Sequence, residues 1–333
     1  MALLAFAGAE DGIKEVDCQG VVNVSSDQAR TGNYSFRPDT TTVAMTNAIN
    51  MIISGVSTIY FQFALYCSSI ESWFGDHCAF VQLKSGGTIL MTLTYKTGGE
   101  IRLYLGDMSS LLATALANLS AGEWQLFEGK FIIADSGGVF QLKKNNISII
   151  DFTGDTKVGS ESTITNILLG NMVNNYYSSY WYYDDLIIVD DSGVYMNDWL
   201  GGLNIYRLPP IGAGNYSQWT PSTGNNWECV DETPPSLDDK VTSSTSGHKD
   251  SYILADLPES ARQIKALVAC YWGAGGNNIK RLLRINSTDY TGAALTLPGS
   301  LGKVQEIMYV SPASSAKWTP SEVNALESGM ELV

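Results

Sequence analysis

The sequence predicts an all-β protein, on three observations. Its 32 glycines and 17 tyrosines, with serine, threonine and asparagine between short apolar runs, make the composition of a chain with frequent tight turns. Ile59, Phe61, Phe63, Leu65 and Cys67 alternate with Tyr60, Gln62, Ala64 and Tyr66, a two-residue period that lays one apolar row against a core. Paired glycines between such runs supply the positive φ angles of close hairpins. Long helices are not expected.

Length and charge narrow the class. At 333 residues and 44% hydrophobic the chain can bury a substantial core, and it exceeds one average domain, so two domains are expected. The formal charge of -14, from 34 acidic and 20 basic residues, repels phosphate backbones and anionic membranes, which sets nucleic acid aside as the main partner. No stretch approaches the ~20 apolar residues of a membrane helix. MALLAFAGAEDG lacks a basic leader and reads as a first strand. Cys18, Cys67, Cys78, Cys229 and Cys270 are odd in number and never spaced as CxxC, the usage of a chain made in a reducing cytosol. Cys67 and Cys78 are placed on neighbouring strands, with no disulfide expected.

The strands of the first domain follow in order. After Ile59 to Cys67 come Phe80 to Leu83, a turn over Lys84 to Gly87, Thr88 to Tyr95, a turn over Lys96 to Gly99, and Glu100 to Leu105. Leu111 to Leu119 has a spacing that also suits a short helix and stays open. Trp124 to Phe127, Lys130 to Ala134 and Val139 to Lys143 are next, with Asp135 to Gly138 and Lys144 to Asn146 as reversals. Ile147 to Phe152, Ile164 to Leu169 and Tyr182 to Val189 complete the set. Strands this short and numerous need two facing sheets to cover their apolar rows.

GEWQLFEGKFIIADSGGVFQLKKNNISIIDFTGDT, then NILLGN, then YYDDLIIVDDSG resemble the second half of a concanavalin A-like, laminin-G-like jelly roll. In that family a glycine and a tryptophan open one strand, a hairpin turn usually holds Asn-Gly, here Asn145-Asn146, and an Asp-Asp pair opens the last strand. ARTGNYSFR, Ala29 to Arg37, resembles the family's early strand. The resemblance covers residues 1–193 and implies an antiparallel jelly-roll sandwich there. Farther on, LGGLNIYRLPPIGAGNYSQWTPSTGNNWECVDETPPSLDDKVTSSTSGHKDSYILADL and the closing KWTPSEVNALESGMELV make the chain similar to structural proteins of tailed-bacteriophage virions. Those proteins pair such a jelly roll with a smaller β-rich domain. That likeness implies a component of the virion, assembled in the host cytoplasm, with other virion proteins and further copies of itself as partners.

Asn197 to Gly202 is rich in turn formers, and the boundary is placed at Gly193, giving domains 1–193 and 194–333. In the second domain Leu203 to Leu208, Tyr252 to Leu254, Ile264 to Tyr271, Leu282 to Ile285 and Val304 to Val310 read as strands. Long loops rich in Pro, Ser, Thr and Asp join them, notably Asp231 to Gly247. Near the end Thr319 suits an N-cap, Pro320 the first helical position, Glu322 the far side of a capping box and Gly329 the stop. A short terminal helix is predicted.

Residues able to carry chemistry are few. Two histidines, His77 and His248, exclude a multi-histidine metal centre, and Gly273 to Gly276 lacks the lysine and hydroxyl of a phosphate loop. The jelly-roll fold also hosts glycosidases, whose retaining members need two carboxyls about 5 to 5.5 Å apart, hence at i and i+2 of a strand. Glu15 and Asp17 have that step but lie too early in the chain. Asp184 and Asp185 are adjacent and are expected on opposite faces. Alternation makes two rows, Tyr182, Asp184, Leu186 and Ile188 against Tyr183, Asp185, Ile187 and Val189, so one aspartate goes inward with either row. An inward carboxylate needs donors, expected from backbone amides or a tyrosine hydroxyl of an adjacent loop. Both aspartates are read as structural carboxylates. Calcium, which the jelly-roll family sometimes binds, would take oxygens from Asp190, Asp191 and Asp198, which lack a loop of known spacing. No cofactor is assigned.

Asn174 to Tyr183 supplies the contact residues. Tyr180, Trp181, Tyr182 and Tyr183 are read as partner or ligand contacts, half of such rings pointing inward by alternation. Tyrosine and tryptophan favour protein interfaces, and the same rings stack on sugars. The sequence is thus read as a non-enzymatic virion subunit of decoration, fibre or tail. The rival is a glycan-binding adhesin that meets the host surface.

Overall fold

A computed structural model describes residues 2–39, 46–70, 78–96, 98–172, 179–236 and 238–333. The chain forms two compact units, Met1–Ile205 and Tyr206–Val333. The division falls at Ile205 and not at Gly193, because the intervening segment is bonded to the first unit.

The first unit opens with β1 (Leu3–Ala7), β2 (Asp17–Gln19), β3 (Val22–Ser25) and β4 (Ser35–Pro38). Two long strands follow, β5 (Asn47–Val56) and β6 (Thr58–Cys67), then a meander of β7 (Cys78–Ser85), β8 (Thr88–Lys96), β9 (Glu100–Leu105) and β10 (Ser110–Leu116). β11 (Trp124–Ile132), β12 (Gly138–Lys144), β13 (Ile147–Gly154), β14 (Ile164–Asn171) and β15 (Trp181–Val189) complete it. One sheet runs β13-β12-β11-β6-β15-β4-β3, with β1 also paired to β15, and the other runs β10-β9-β8-β7-β14-β5-β2. Late strands lie between early ones, β15 between β6 and β4 and β14 between β7 and β5, all antiparallel. The fold is an antiparallel jelly-roll β-sandwich.

The alternation in β6 does what its period requires. Phe61, Phe63 and Leu65 face inward, where Phe63 stacks on Phe127 of β11 at 5.2 Å and Phe80 of β7 meets Phe127 edge-on at 6.0 Å. Phe127 is fully buried, so truncating it to alanine costs about 3–5 kcal/mol. The reversal between β12 and β13 holds Asn145 and Asn146 at φ 49° and 65°, the double positive φ that a type I′ hairpin demands. Ser110–Leu116 is a strand paired to β9, which settles the open helix-or-strand choice for that stretch. As an edge strand it leaves Leu116 83% exposed. Cys67 and Cys78 are not on neighbouring strands of one sheet: Cys67 ends β6 and Cys78 opens β7 of the opposite sheet. Both are buried.

The second unit holds β16 (Pro210–Ser217), β17 (Thr220–Pro221), β18 (Val241–Thr242), β19 (Lys249–Leu254) and β20 (Leu267–Gly273). β21 (Asn278–Ile285), β22 (Thr288–Thr296), β23 (Gly302–Met308), α1 (Pro320–Ala325) and β24 (Glu327–Leu332) follow. A five-stranded sheet, β16-β19-β24-β21-β22, is faced by the ribbon β20-β23, and β17 pairs with β18. Leu283 and Ile285 of the sheet pack with Ala269 and Met308 of the ribbon and with Trp318, Val323 and Leu326 around the helix. Leu203 to Leu208, expected as a strand, forms none.

The terminal helix is present with half its expected cap. Thr319 accepts from the Glu322 amide at 3.2 Å, but the Glu322 carboxylate bonds the Ser311 hydroxyl instead of closing a capping box. Gly329 does not stop the helix, which ends at Ala325 with Leu326 as its C-cap. It sits within β24 against β19, where an added Cβ would lie 1.9 Å from the Asp250 carbonyl oxygen. Close backbone approach is the reason for glycine at that position.

Candidate functional site

Of the residues singled out as contacts and carboxylates, Trp181 to Asp185 lie on β15, which is buried along its whole length, and Tyr180 immediately precedes it. Alternation breaks inside it. Asp184 pairs with Ala64 and Ile187 with Gln62, so three steps on β15 answer two on β6. Asp185 occupies the left-handed region at φ 51° within this β-bulge. Parity therefore changes: Trp181 and Tyr183 belong to the core before the bulge, Leu186 and Ile188 after it. The two unbroken rows expected from the sequence do not exist, and the expected divergence of the aspartates is overturned. Both carboxylates turn to the loop at Arg30 and Thr31.

Every oxygen of the pair is engaged. Asp184 Oδ2 accepts from the amides of Arg30 at 2.8 Å and Thr31 at 3.1 Å, and its Oδ1 from the Asp185 amide at 2.7 Å. Asp185 Oδ1 accepts from Thr31 Oγ1 at 2.9 Å and the Ile205 amide at 2.6 Å, while Oδ2 pairs with the Arg30 guanidinium. Both side chains have no solvent exposure. Burial and the neighbouring Asp185 charge push the Asp184 carboxyl up to about 7. Burial raises Asp185 as well, against the pull of Arg30. The donors are backbone amides, one of the two kinds expected, joined by the Thr31 hydroxyl and the Arg30 guanidinium.

A third carboxylate holds the far side of the same loop. Glu10 Oε1 accepts from the amides of Asn33 at 2.7 Å and Tyr34 at 2.9 Å. Gly32 stands between the two anchors at φ 63°, and a Cβ there would meet Glu10 Oε1 at 2.2 Å. The ARTGNY run is thus a clasp. Asp184 and Glu10 hold its backbone, and Asp185 holds the side chains of its Arg30 and Thr31. Glu15 is likewise occupied, accepting from the amides of Gly8, Ala9 and Asp11.

Residues 199–205 form a strap across the outer face of the β12-β11-β6-β15 sheet. Trp199 packs edge-on against Tyr60 at 5.9 Å, with the Lys143 ammonium 3.5 Å from the Trp199 ring centroid. Glu128 accepts from the Gly201 amide, Gln62 exchanges bonds with the Leu203 amide and carbonyl, and Asp185 accepts from the Ile205 amide. Polar residues of the outer row are therefore buried, and each is satisfied by strap backbone. Neither Arg30 nor the strap was identified from the sequence. The available signal was an uncommitted cation two residues before Gly32.

The four aromatics separate. Tyr180 is 42% exposed and carries the Arg37 guanidinium over its ring at 5.0 Å, whereas Trp181, Tyr182 and Tyr183 are buried. Asn174 to Ser178 and His77 lie outside the described residues. Half-exposed rings on this sheet include Tyr66 and Trp124, 5.6 Å apart, with Tyr182 against Tyr66 at 5.8 Å. Asp190 Oδ1 is taken by the amide and hydroxyl of Ser192, and Asp198 Oδ1 by the Trp199 amide. Among the described residues no three potential metal ligands of the Asp, Glu, His and Cys types come together.

No family model matches the chain, and no curated protein does. Among solved structures, the chain is similar to a cellulose-induced protein, Cip1, at 14% identity and TM-score 0.40, over 52% of this chain and 87% of that one. The binding domain of Paraclostridial mosquitocidal protein 1 is similar at 11% identity and TM-score 0.41, over 56% of this chain and 48% of that one. Galectin LEC-6 of Caenorhabditis elegans is similar at 13% identity and TM-score 0.30, over 44% and 94%.

Proposed function

We propose that the protein is a non-enzymatic building block of a tailed-phage particle that works through contacts with neighbouring copies and other virion proteins. The observation that carries this reading is the closed Asp184–Asp185 site, whose oxygens are all committed to the clasp and strap and so fasten the fold instead of addressing a substrate. The phage assignment itself rests on the resemblance of the sequence. Edge strands supply the contact material. Leu116 at the end of β10 is 83% exposed and Ile147 at the start of β13 is 69% exposed. Lys144 bonds the Asn118 carbonyl, which brings these strand ends to one corner of the sandwich. Unpaired edges with apolar tips favour association with another chain, and a lasting contact buries about 1,200 Å² or more.

Gradient-purified particles made by the genome that encodes this chain contain it by mass spectrometry if the proposal is right, and its absence from them overturns the proposal. A second reading, a glycan-binding adhesin, is favoured by the half-exposed Tyr66 and Trp124. Trp181 is too buried to test it without disturbing the core. Trp124→Ala is the discriminating variant: it abolishes binding to host polysaccharide if the adhesin reading holds and leaves particle incorporation unchanged if it does not.

A further inference from the structure

Between the five-stranded sheet and the ribbon of the second unit lies a cavity of about 640 Å³, within the size range of small-ligand sites. Three rings in its wall have their polar ends tied to the protein. Trp219 Nε1 donates to the His248 carbonyl at 3.1 Å, Tyr271 OH to the Gly329 carbonyl at 2.8 Å, and Tyr252 OH to Asp250 Oδ2 at 2.9 Å. Rings fixed at their polar ends present apolar surface to the space, and Trp272 adds a fourth.

The polar part of the wall includes a pair of carboxyls. Glu232 and Asp239 line the cavity together. Asp239 accepts from Ser222 Oγ at 2.8 Å, whereas Glu232 Oε1 is shielded from solvent with no hydrogen-bond partner among the described residues. Burial raises the Glu232 carboxyl, and a hydrogen bond to the Asp239 side chain and the charges of Asp239 and Asp231 add to this. Both carboxyls line the cavity, and their oxygens can accept from a ligand that brings donors. Arg207 and Lys240 line the same space, so the two acids are offset by two bases and the cavity favours a neutral ligand over an organic cation.

We infer that this cavity is a binding site for a neutral oligosaccharide, whose apolar ring faces lie on the Trp219 and Trp272 side and whose hydroxyls donate to Glu232 and Asp239. A pyranose is the ligand class that is apolar on its faces, rich in donors at its rim and uncharged. The site is separate from the aromatic patch of the first unit and does not depend on the phage assignment, since a particle subunit without any sugar ligand satisfies that assignment equally.

The test is calorimetric titration of the full chain with cellotetraose, maltotetraose, chitotetraose and mannotetraose. At least one gives saturable binding, weakened about tenfold or more by Trp272→Ala and about fivefold by Glu232→Gln, while Trp124→Ala leaves it unchanged. Glu232→Gln keeps the side-chain shape, so it decides the matter if Trp272→Ala melts early. The inference is overturned if no tetrasaccharide binds up to about 10 mM, if binding survives Glu232→Gln undiminished, or if tetramethylammonium binds and the sugars do not.

Discussion

An aspartate in the left-handed region, as Asp185 is at φ 51°, sacrifices about 1 kcal/mol of backbone energy, and the clasp shows what offsets it. The turn brings a second carboxylate onto the donors of Arg30 and Thr31, where a regular strand would have sent it to the far face. Arg30→Ala leaves Asp185 buried without its counter-ion and costs about 3–5 kcal/mol, read as a lower urea midpoint of the full chain. Protonation gives a second check. Because the folded Asp184 carboxyl titrates at about 7 against an ordinary 3.8, the folded state keeps a proton that the unfolded state releases between those values. Stability from this group is thus fully present below about pH 4 and is lost as pH rises to about 7. Asp184→Asn removes that titration, so its cost is largest near pH 4.5 and smallest near pH 8, within roughly this window; a cost that grows with pH contradicts the assignment. The sequence made the need for donors legible, since an inward acid was forced by either row. It did not make the bulge legible, because Tyr-Asp-Asp-Leu carries no glycine or other local mark of a left-handed residue.

Among the elements, reversals were easier to read than strands. Asn145 and Asn146 stand where positive φ is required, and both adopt it. Asn145 Oδ1 also accepts from the Leu126 amide at 2.8 Å, while Asn146 is exposed. Asn146→Gly therefore removes a left-handed cost of about 1 kcal/mol without losing that bond, partly offset by the freedom glycine adds to the unfolded chain, and stabilises by about 0.5 kcal/mol; thermal melting that does not rise refutes the turn assignment. Strands whose pattern is interrupted by small residues escaped notice. β16 reads PIGAGNYS because Gly214 lies where a Cβ would come within 2.5 Å of Ser251 Oγ and Glu327 Oε2. The packing that makes it a strand removes the apolar alternation by which strands are recognised. β24 shows the same effect at Gly329, which was mistaken for a helix stop.

For the whole molecule, the strap decides where the first unit ends. Turn-forming composition pointed to Gly193, yet backbone from Gly201 to Ile205 satisfies Glu128, Gln62 and Asp185 on the sheet surface. Such pairing leaves no mark in local sequence, because the donors are main-chain amides and the acceptors lie far back in the chain. A fragment of residues 1–205 unfolds in one cooperative calorimetric transition, whereas one of residues 1–193 exposes three unsatisfied side chains and melts earlier or not cooperatively. Equal melting of the two fragments removes the strap from the architecture. The placement of Cys67 and Cys78 on opposite sheets has a use of its own. Burial holds the Cys67 thiol well above the ordinary thiol range, so an alkylating reagent meets a reactive thiolate there only after the layers have parted. The labelling rate of that cysteine is a built-in clock for how often the sandwich breathes.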